Sequence, residues 1–463
     1  MGPLKESDRV AHLLRRFGLG ASVQEVEFYG QNGVKGAIDL LLDDQRDDGI
    51  NLDVSKFASK NGAIKLQSVQ LYWLCRMVLT KNPLKEKMAL FWHDHFATSA
   101  QKVDSPTAMQ NQLEIFLSEG LGRFESLLLN VSKDPAMLYW LDNQLNKKGK
   151  PNENFAREVM ELFTLGIGHY TEKDVQEAAR AFTGWGYGNG NRQVERVPNR
   201  QNKFLFNPAQ HDDGIKVVLN NKGPWNGEEI CGILVGHPQT ALAITKKIWE
   251  FFAYEKPDEA LIKRLATLWR SNGFEMKVLL RAIMESPEFY SDKAMRKLYK
   301  SPIDFCIPTL RQTGAGAILR SRIDEADTDG DNIGRKIAGI LNCLRATKSM
   351  GMEVLFPPDV AGWDWGAAWI SSATMVERIK WADRLFGGQG KALVEASFGE
   401  SEDARQIVDK LVRILDIQLP ISKMDPIVAA ATKQAGRDLT KTKQSVVVLA
   451  SRLVFSSPEF QFC

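Results

Sequence analysis

Apolar residues spaced three and four apart recur along almost the whole of this 463-residue chain, and that period belongs to amphipathic helices packed on a shared core. From Asp8 to about Arg180 it predicts helix after helix: Lys65 to Thr80, Leu84 to His95, Thr107 to Ser118, Phe124 to Val131, Glu153 to Leu165 and Glu172 to Phe182. It resumes from Glu228 to about Gln312, and again from Ile333 to the last residue. Two stretches break it. Residues 184–227 are rich in Gly, Asn and Pro, with short runs at Phe204 to Phe206 and Ile215 to Leu219, and predict a long loop and a small β-ribbon with Asp213-Gly214 near a turn. The segment GMEVLFPPDVAGWDWGAAWISS cannot be helical throughout, because Pro357-Pro358 bars helix there; its tryptophans predict a loop pinned to a surface by aromatic side chains. The expected fold is mainly α, a multi-helical orthogonal or bundle-like body with a small β-ribbon insertion and long irregular loops. Its expected divisions are 1–185, a helical region with the candidate site; 186–227, the loop and ribbon; and 228–463, a second helical region packed as one body with the first.

Composition narrows the function classes. Sixty basic against fifty-seven acidic residues leave a formal charge of +3 with no basic stripe, which argues against a nucleic-acid partner. No apolar run approaches the roughly 20 residues of a membrane span, so the chain is not expected to be integral to a membrane. The start, MGPLKESDRVAHLLRRFGLG, has charges where a signal peptide needs its apolar run. A cytoplasmic protein is the default expectation, and an exported one if the start has been trimmed. Cys75, Cys231, Cys306, Cys343 and Cys463 are odd in number and form no CxxC pair, as expected of buried free thiols. Two helices ending in Ser-Pro-Glu-Phe, at LLRAIMESPEFYS and LASRLVFSSPEFQF, echo one another as similarly terminated elements.

The strongest candidate surface lies in NENFAREVMELFTLGIG. Phe155, Val159, Leu162 and Phe163 share one helical face, and Asn154, Arg157, Glu158 and Glu161 fall in a stripe beside it. Such a stripe is either a solvated face, with Arg157 and Glu161 an ordinary i,i+4 pair, or two carboxylates and a guanidinium presented to a substrate. The next helix begins with a capping-box-like Thr171 and Asp174, and packing it back would bury part of the stripe.

In PLKEKMALFWHDHFATS, Leu84, Met88, Phe91 and His95 share one face, and Glu86 and His93 another. His93 and His95 therefore point apart on a regular helix; they are hydrogen-bonded or acid/base histidines, with metal ligation the alternative. His211, Asp212 and Lys216 of QHDDGIK sit in a tight loop that either leans over the helices or simply makes a turn. Asp134 is read as a helix cap, and Asp142 with Asn143 as candidate site lining. DTDGDN at Asp327 resembles a calcium loop but lacks glycine at its sixth position and has Ala338 where the twelfth needs Glu, so it is set aside. No phosphate-binding GxxxxGK[ST], GxSxG elbow or HExxH helix is present.

Together, FWHDHF, NENFAREVMELFTLGIGHYTEKDVQEAARAFTGW, HDDGIK and FPPDVAGWDWGAAW resemble the bacterial family known as domain of unknown function 1800. The resemblance runs from AHLLRRFGLG to the helix Met375 to Leu385 and implies no particular reaction. It marks His93, His95, Asn154, Arg157, Glu158, Glu161, Asp174, Gly184, Trp185, His211, Asp212 and Lys216 as motif residues. Many relatives look exported, which implies an extracellular setting at odds with the missing leader.

The expected function is an enzyme, a hydrolase or lyase acting on a glycan or similar polar substrate by carboxylate and histidine chemistry. Glu158 or Glu161 would be the acid/base, with His93, His211 and Asp212 as further catalytic groups. Arg157, Asn154, Lys216, Trp185 and His95 would hold substrate. No cofactor is expected; the alternative is a divalent metal on His93, His95 and His211 with a carboxylate, activating water. A third expectation, of a different class, is a non-catalytic helical binding or assembly protein. Oligomeric state is not legible.

Overall fold

A computed structural model describes residues 4–59, 61–199, 201–329 and 337–463, without the side chains of residues 326–329 and 389. The second half of the DTDGDN segment, residues 330–332, lies outside the described residues. The chain is mainly α, as its periodicity predicts, with two small antiparallel sheets. Helix starts follow local chemistry. Pro83, Pro106, Pro135, Pro238 and Pro302 each occupy the first turn, where a missing N–H costs nothing, and Ser105, Asp134 and Ser301 each accept a hydrogen bond from an amide of the helix they precede. Asp134 is thus the cap expected, its Oδ2 accepting from Met137 N at 3.2 Å and from Gln112 Nε2 at 2.9 Å.

The helix Pro83–His95 is buried on nearly every side although it carries charged and titratable residues throughout. Burial without a partner would be costly, and Glu86, Lys87, His93, Asp94 and His95 each have one. Glu86 accepts from Arg76 at 2.9 Å and from the Trp73 indole at 3.1 Å, both on the helix Leu66–Leu79. His93 lies edge-on to the same Trp73, so the shared face of Glu86 and His93 is as predicted. Lys87 pairs with Asp304 of the helix Pro302–Gln312 beneath the Phe251 ring. Burial alone would raise the Asp304 carboxyl; Lys87, Ser301 and Arg16 outweigh it and hold it below its ordinary range. Arg16, also buried, donates to Phe252 O at 2.9 Å, to Ala253 O and to Cys463 O at 3.1 Å. It thereby satisfies the last carbonyls of the helix Pro238–Phe252 and fastens Glu6–Phe17 to it and to the end of the chain.

The expected single helix from Glu153 to Leu165 is α over Asn154–Met160 and then π over Glu161–Leu165. Thr164 Oγ1 donates to Val159 O at 2.7 Å, a side-chain bond that competes with the regular ladder. Leu162 and Phe163 lie in the last turn of this helix, where carbonyls have no helical partner, and theirs accept from side chains of other helices.

In the ribbon region, β1 (Trp185–Asn189) lies between β2 (Arg192–Val194) and β3 (Lys203–Phe206), with Tyr187 opposite Val194 and Phe204. β4 (Lys216–Val218) and β5 (Asn221–Gly223) form a separate hairpin. Its reversal is at Leu219 and Asn220, both with positive φ, the geometry of a two-residue hairpin turn. Asp213-Gly214 instead lies in a turn before β4, where Asp212 Oδ1 accepts from Gly214 N at 2.9 Å. The two Ser-Pro-Glu-Phe motifs end their helices alike: Met276–Glu285 and Leu439–Ser456 each pass into a short 3-10 turn that buries Phe289 or Phe460.

The Pro-Pro loop is pinned as its aromatics suggest, with Trp363 and Trp369 buried and Trp365 half-buried. Two glycines let it lie close to its neighbours. At Gly362, φ is +89° and a Cβ would stand 2.4 Å from Asp94 Oδ1 and 2.7 Å from Asp94 O. At Gly366, φ is +69° and a Cβ would stand 1.9 Å from Glu255 Oε1.

Two outcomes follow. Asp304→Leu should strand the Lys87 ammonium and lower stability by about 3–5 kcal/mol in urea titration, while Lys87→Met with Asp304→Leu should recover most of that loss. Gly362→Ala, which cannot be accommodated against backbone, should lower stability by roughly 1–3 kcal/mol and change the near-ultraviolet dichroism of the tryptophans around it.

Candidate functional site

The stripe is a surface feature tied into its surroundings. Arg157 makes a two-pronged contact with Glu172, 2.8 Å to each carboxylate oxygen, and a second with Glu153 at 3.2 Å. The expected Arg157–Glu161 pair does not form, because Glu172, at the start of the helix Glu172–Ala181, takes the guanidinium and raises its pKa. Glu161 accepts instead from the Tyr170 hydroxyl. Glu158 is half-buried, its carboxyl raised by burial and then by the Glu161 charge, with Arg157 opposing. Asn154 is exposed, its amide capped by Asn152 Oδ1 at 3.0 Å. Thr171 and Asp174 form the capping box foreseen, and Asp174 also accepts from Leu219 N at 2.7 Å, which fastens the hairpin.

The QHDDGIK loop is held largely by its own residues and Arg180. Asp212 accepts from Arg180 Nε at 2.8 Å and Nη2 at 3.1 Å, and that contact pulls its carboxyl down to about 2. Lys216 is buried and donates to the carbonyls of Asp212 and, at 3.1 Å, Gly214. His211 Nδ1 lies 2.9 Å from Thr183 O, so that nitrogen carries a proton, and the ring sits edge-on to Phe206. Gly184 makes this approach feasible: with φ +78°, a Cβ there would stand 2.6 Å from Asn207 O and 3.2 Å from His211 N. Trp185 is buried between Phe182 and Phe204. Asn143, also buried, donates to Phe182 O and Trp185 O, while Asp142 pairs with Lys102 at 2.7 Å.

His93 and His95 point apart, as their spacing requires. His93 is enclosed, its Nε2 accepting from Leu355 N at 3.0 Å and its ring lying edge-on to Trp73 and Trp363; burial pushes its pKa down to about 3. His95 Nε2 is 3.2 Å from Phe163 O, which can only accept. The Nε2 therefore bears the proton, and Nδ1 is free to accept from Lys247 Nζ at 3.4 Å. Burial and the Lys247 charge lower the His95 pKa well below its usual value. His93, His95 and His211 thus have separate surroundings, and among the described residues no group of three or more His, Cys, Asp or Glu side chains is placed to hold a metal ion. The alternative ligand set is not assembled in this structure.

What the chain does assemble is a partly open cavity of about 380 Å³ beside His95. Phe91, Asp94 and His95 come from the end of Pro83–His95; Lys247, Glu250 and Phe251 from Pro238–Phe252; and Trp363, Trp365 and Gly366 from the Pro-Pro loop. Phe251 lies edge-on to Phe91 at 5.2 Å and to Trp365 at 4.9 Å, giving an aromatic wall. Asp94 Oδ1 accepts from Trp363 N at 2.8 Å and Oδ2 from the Trp365 indole at 2.6 Å. Burial nevertheless raises its carboxyl to about 6, against these two donors and the Lys247 charge. Lys247, whose side chain is exposed at the cavity, donates through Nζ to Leu162 O at 2.9 Å, and the protein packed around Nζ lowers its pKa against the pull of Asp94 and Glu250. An acid raised and a base lowered in one cleft are the arrangement that acid–base sites use.

Of the residues singled out in the sequence, His95, Phe91 on its face and the loop tryptophans Trp363 and Trp365 line this cavity; Asp94 and Lys247 were missed. Asp94 stands between two histidines that drew attention from it, and its partners lie about 270 residues along the chain. FWHDHF and GWDWG were both visible as motifs, and their contact could have been suspected from the resemblance that named them together. Among the described residues no helix is long and apolar enough to cross a membrane, and all five cysteines are buried and free.

Comparison with known proteins places these features in a family. A family model described as a protein of unknown function, DUF1800, matches residues 12–462. No curated protein and no solved structure matches the chain. With nearly its full length covered, from the first buried helix through the Pro-Pro loop to the last 3-10 turn, the chain belongs to the DUF1800 family.

Proposed function

We propose that the chain is an enzyme that acts on a glycan or similar polar substrate by acid–base chemistry in the cleft at Asp94. The observation that carries this reading is a carboxyl raised to about 6 at the base of a partly open aromatic cavity, with a lysine of lowered pKa beside it. A carboxylic acid of that strength holds its proton at mildly acidic pH and gives it up readily, which suits protonation of a leaving oxygen. Trp363 and Trp365 supply the flat faces on which a sugar ring stacks, and Glu250 and Glu255 at the cavity margin supply acceptors for its hydroxyls. The Glu158–Glu161 stripe, which the sequence favours as the acid/base pair, does not line this cavity and takes no reacting role in this reading.

Asp94 acting as general acid sets the direction of the pH dependence. The group is protonated below about 6 and ionised above, so turnover should hold on the acidic side and fall about tenfold per pH unit above that value. Release of reducing ends from neutral glucans, xylans and uronate-containing polysaccharides, measured between pH 4 and 9, checks this. Asp94→Asn should lower kcat by roughly 10²–10⁴-fold and abolish the limb near pH 6. Trp365→Phe, which keeps an aromatic face and removes one donor to Asp94, should retain activity with that limb moved to higher pH. Absence of turnover and of binding across these polysaccharides would remove the glycan reading.

A further inference from the structure

We propose that Lys247 is a nucleophilic amine that forms an imine with a small polar carbonyl compound, such as an open-chain hydroxyaldehyde, in the Asp94 cleft. The inference rests on that cleft being the site but assigns it a covalent step that acid–base chemistry on a glycosidic bond does not need.

Three features of the geometry support it. The Lys247 amine has two protein partners among the described residues, Leu162 O at 2.9 Å and His95 Nδ1 at 3.4 Å, and both are acceptors. An ammonium makes both bonds with two of its three protons, and when the third is lost no protein group among the described residues claims the lone pair. Second, among the described residues no carboxylate lies within ion-pair distance of Lys247, whose side chain is exposed at the cavity, whereas the buried Lys87 has Asp304 directly upon it. His95 is fixed with its lone pair toward the amine because its own proton is committed to Phe163 O. Third, Lys247 and Asp94 line the same cavity, so a carbonyl carbon held there would have an amine and a carboxylic acid as neighbours. The lowered basicity of the amine agrees with this placement, since each unit of lowering makes about tenfold more free amine near neutral pH.

The step balances on these groups alone. The amine lone pair forms the C–N bond as the carbonyl π pair moves to oxygen. The oxygen leaves as water with one proton from the amine and one from the Asp94 carboxylic acid, giving a protonated imine and the Asp94 carboxylate. Hydrolysis runs the same sequence backwards. The end of the Glu161–Leu165 segment is then a positioning element, because its Leu162 carbonyl orients the amine.

Reductive trapping on the full chain tests the idea. D-glyceraldehyde and sodium cyanoborohydride at pH 7 convert lysine imines to stable secondary amines, and peptide mass spectrometry reads the rate at each site. Lys247 should be modified about tenfold faster than Lys263, an exposed residue on the neighbouring helix Glu259–Ser271. Asp94→Asn should slow the Lys247 reaction about tenfold and leave Lys263 unchanged. Equal rates at Lys247 and Lys263 in the unaltered protein would overturn the proposal, whatever the variant does. Fast modification that Asp94→Asn leaves untouched would overturn the proton-donor role given to Asp94. Turnover of polysaccharides with an unreactive Lys247 would retain the glycan reading and discard this one; a reactive Lys247 without such turnover would do the reverse.

Discussion

A helix buried on almost every side while carrying Glu86, Lys87, His93, Asp94 and His95 is the constraint on which the rest of the molecule depends. An unpaired charge or amide in such a place costs several kcal/mol, so the surrounding elements must arrive with complementary groups. They come from separate parts of the chain: Arg76 and Trp73, Asp304, the Leu355 amide, the Trp363 amide and Trp365 indole, and the Phe163 carbonyl. An apolar helix could slide or rotate against its neighbours at modest cost. This one is fixed in rotation and height by bonds on all sides, and the cavity forms where its last turn meets the Pro-Pro loop.

Much of the fold was legible because its signals are local. Three- and four-residue apolar spacing, proline in the first turn, and Ser, Thr or Asp caps each act within one turn of chain, and they predicted the helices, the cap at Asp134 and the box at Thr171 and Asp174. The loop at 351–372 was legible for a similar reason, since paired prolines and clustered tryptophans limit what the backbone can do. Asp213-Gly214 does lie near a turn, as its composition suggests, but the hairpin itself reverses at Leu219 and Asn220, where only the Asn favours positive φ and the Leu gives no signal.

The site was less legible because its decisive contacts are long-range. Helical spacing correctly set Asn154, Arg157, Glu158 and Glu161 on one side, but it could not foresee that Glu172 would capture Arg157 or that a π-turn would begin at Glu161. Nor could it distinguish a histidine sealed in the interior, such as His93, from one at a cavity edge, such as His95. Asp94 illustrates the limit most clearly. Its raised pKa is produced by burial, which the sequence does not record, and is opposed by donors that only folding brings near.

The π-turn at Glu161–Leu165 has a consequence for how relatives of this chain compare. A π-turn holds one residue more than the α-turn it replaces, so a chain lacking one residue here would close into regular helix with the segments on either side keeping nearly the same direction. The change would fall on the turn itself, moving the Leu162 and Phe163 carbonyls that now accept from the amine at 247 and the imidazole at 95. Chain length across this single turn is therefore a discriminating trait: family members that keep it keep the means to orient a lysine at the cleft, and members that lose it can retain the same helices around a differently equipped pocket.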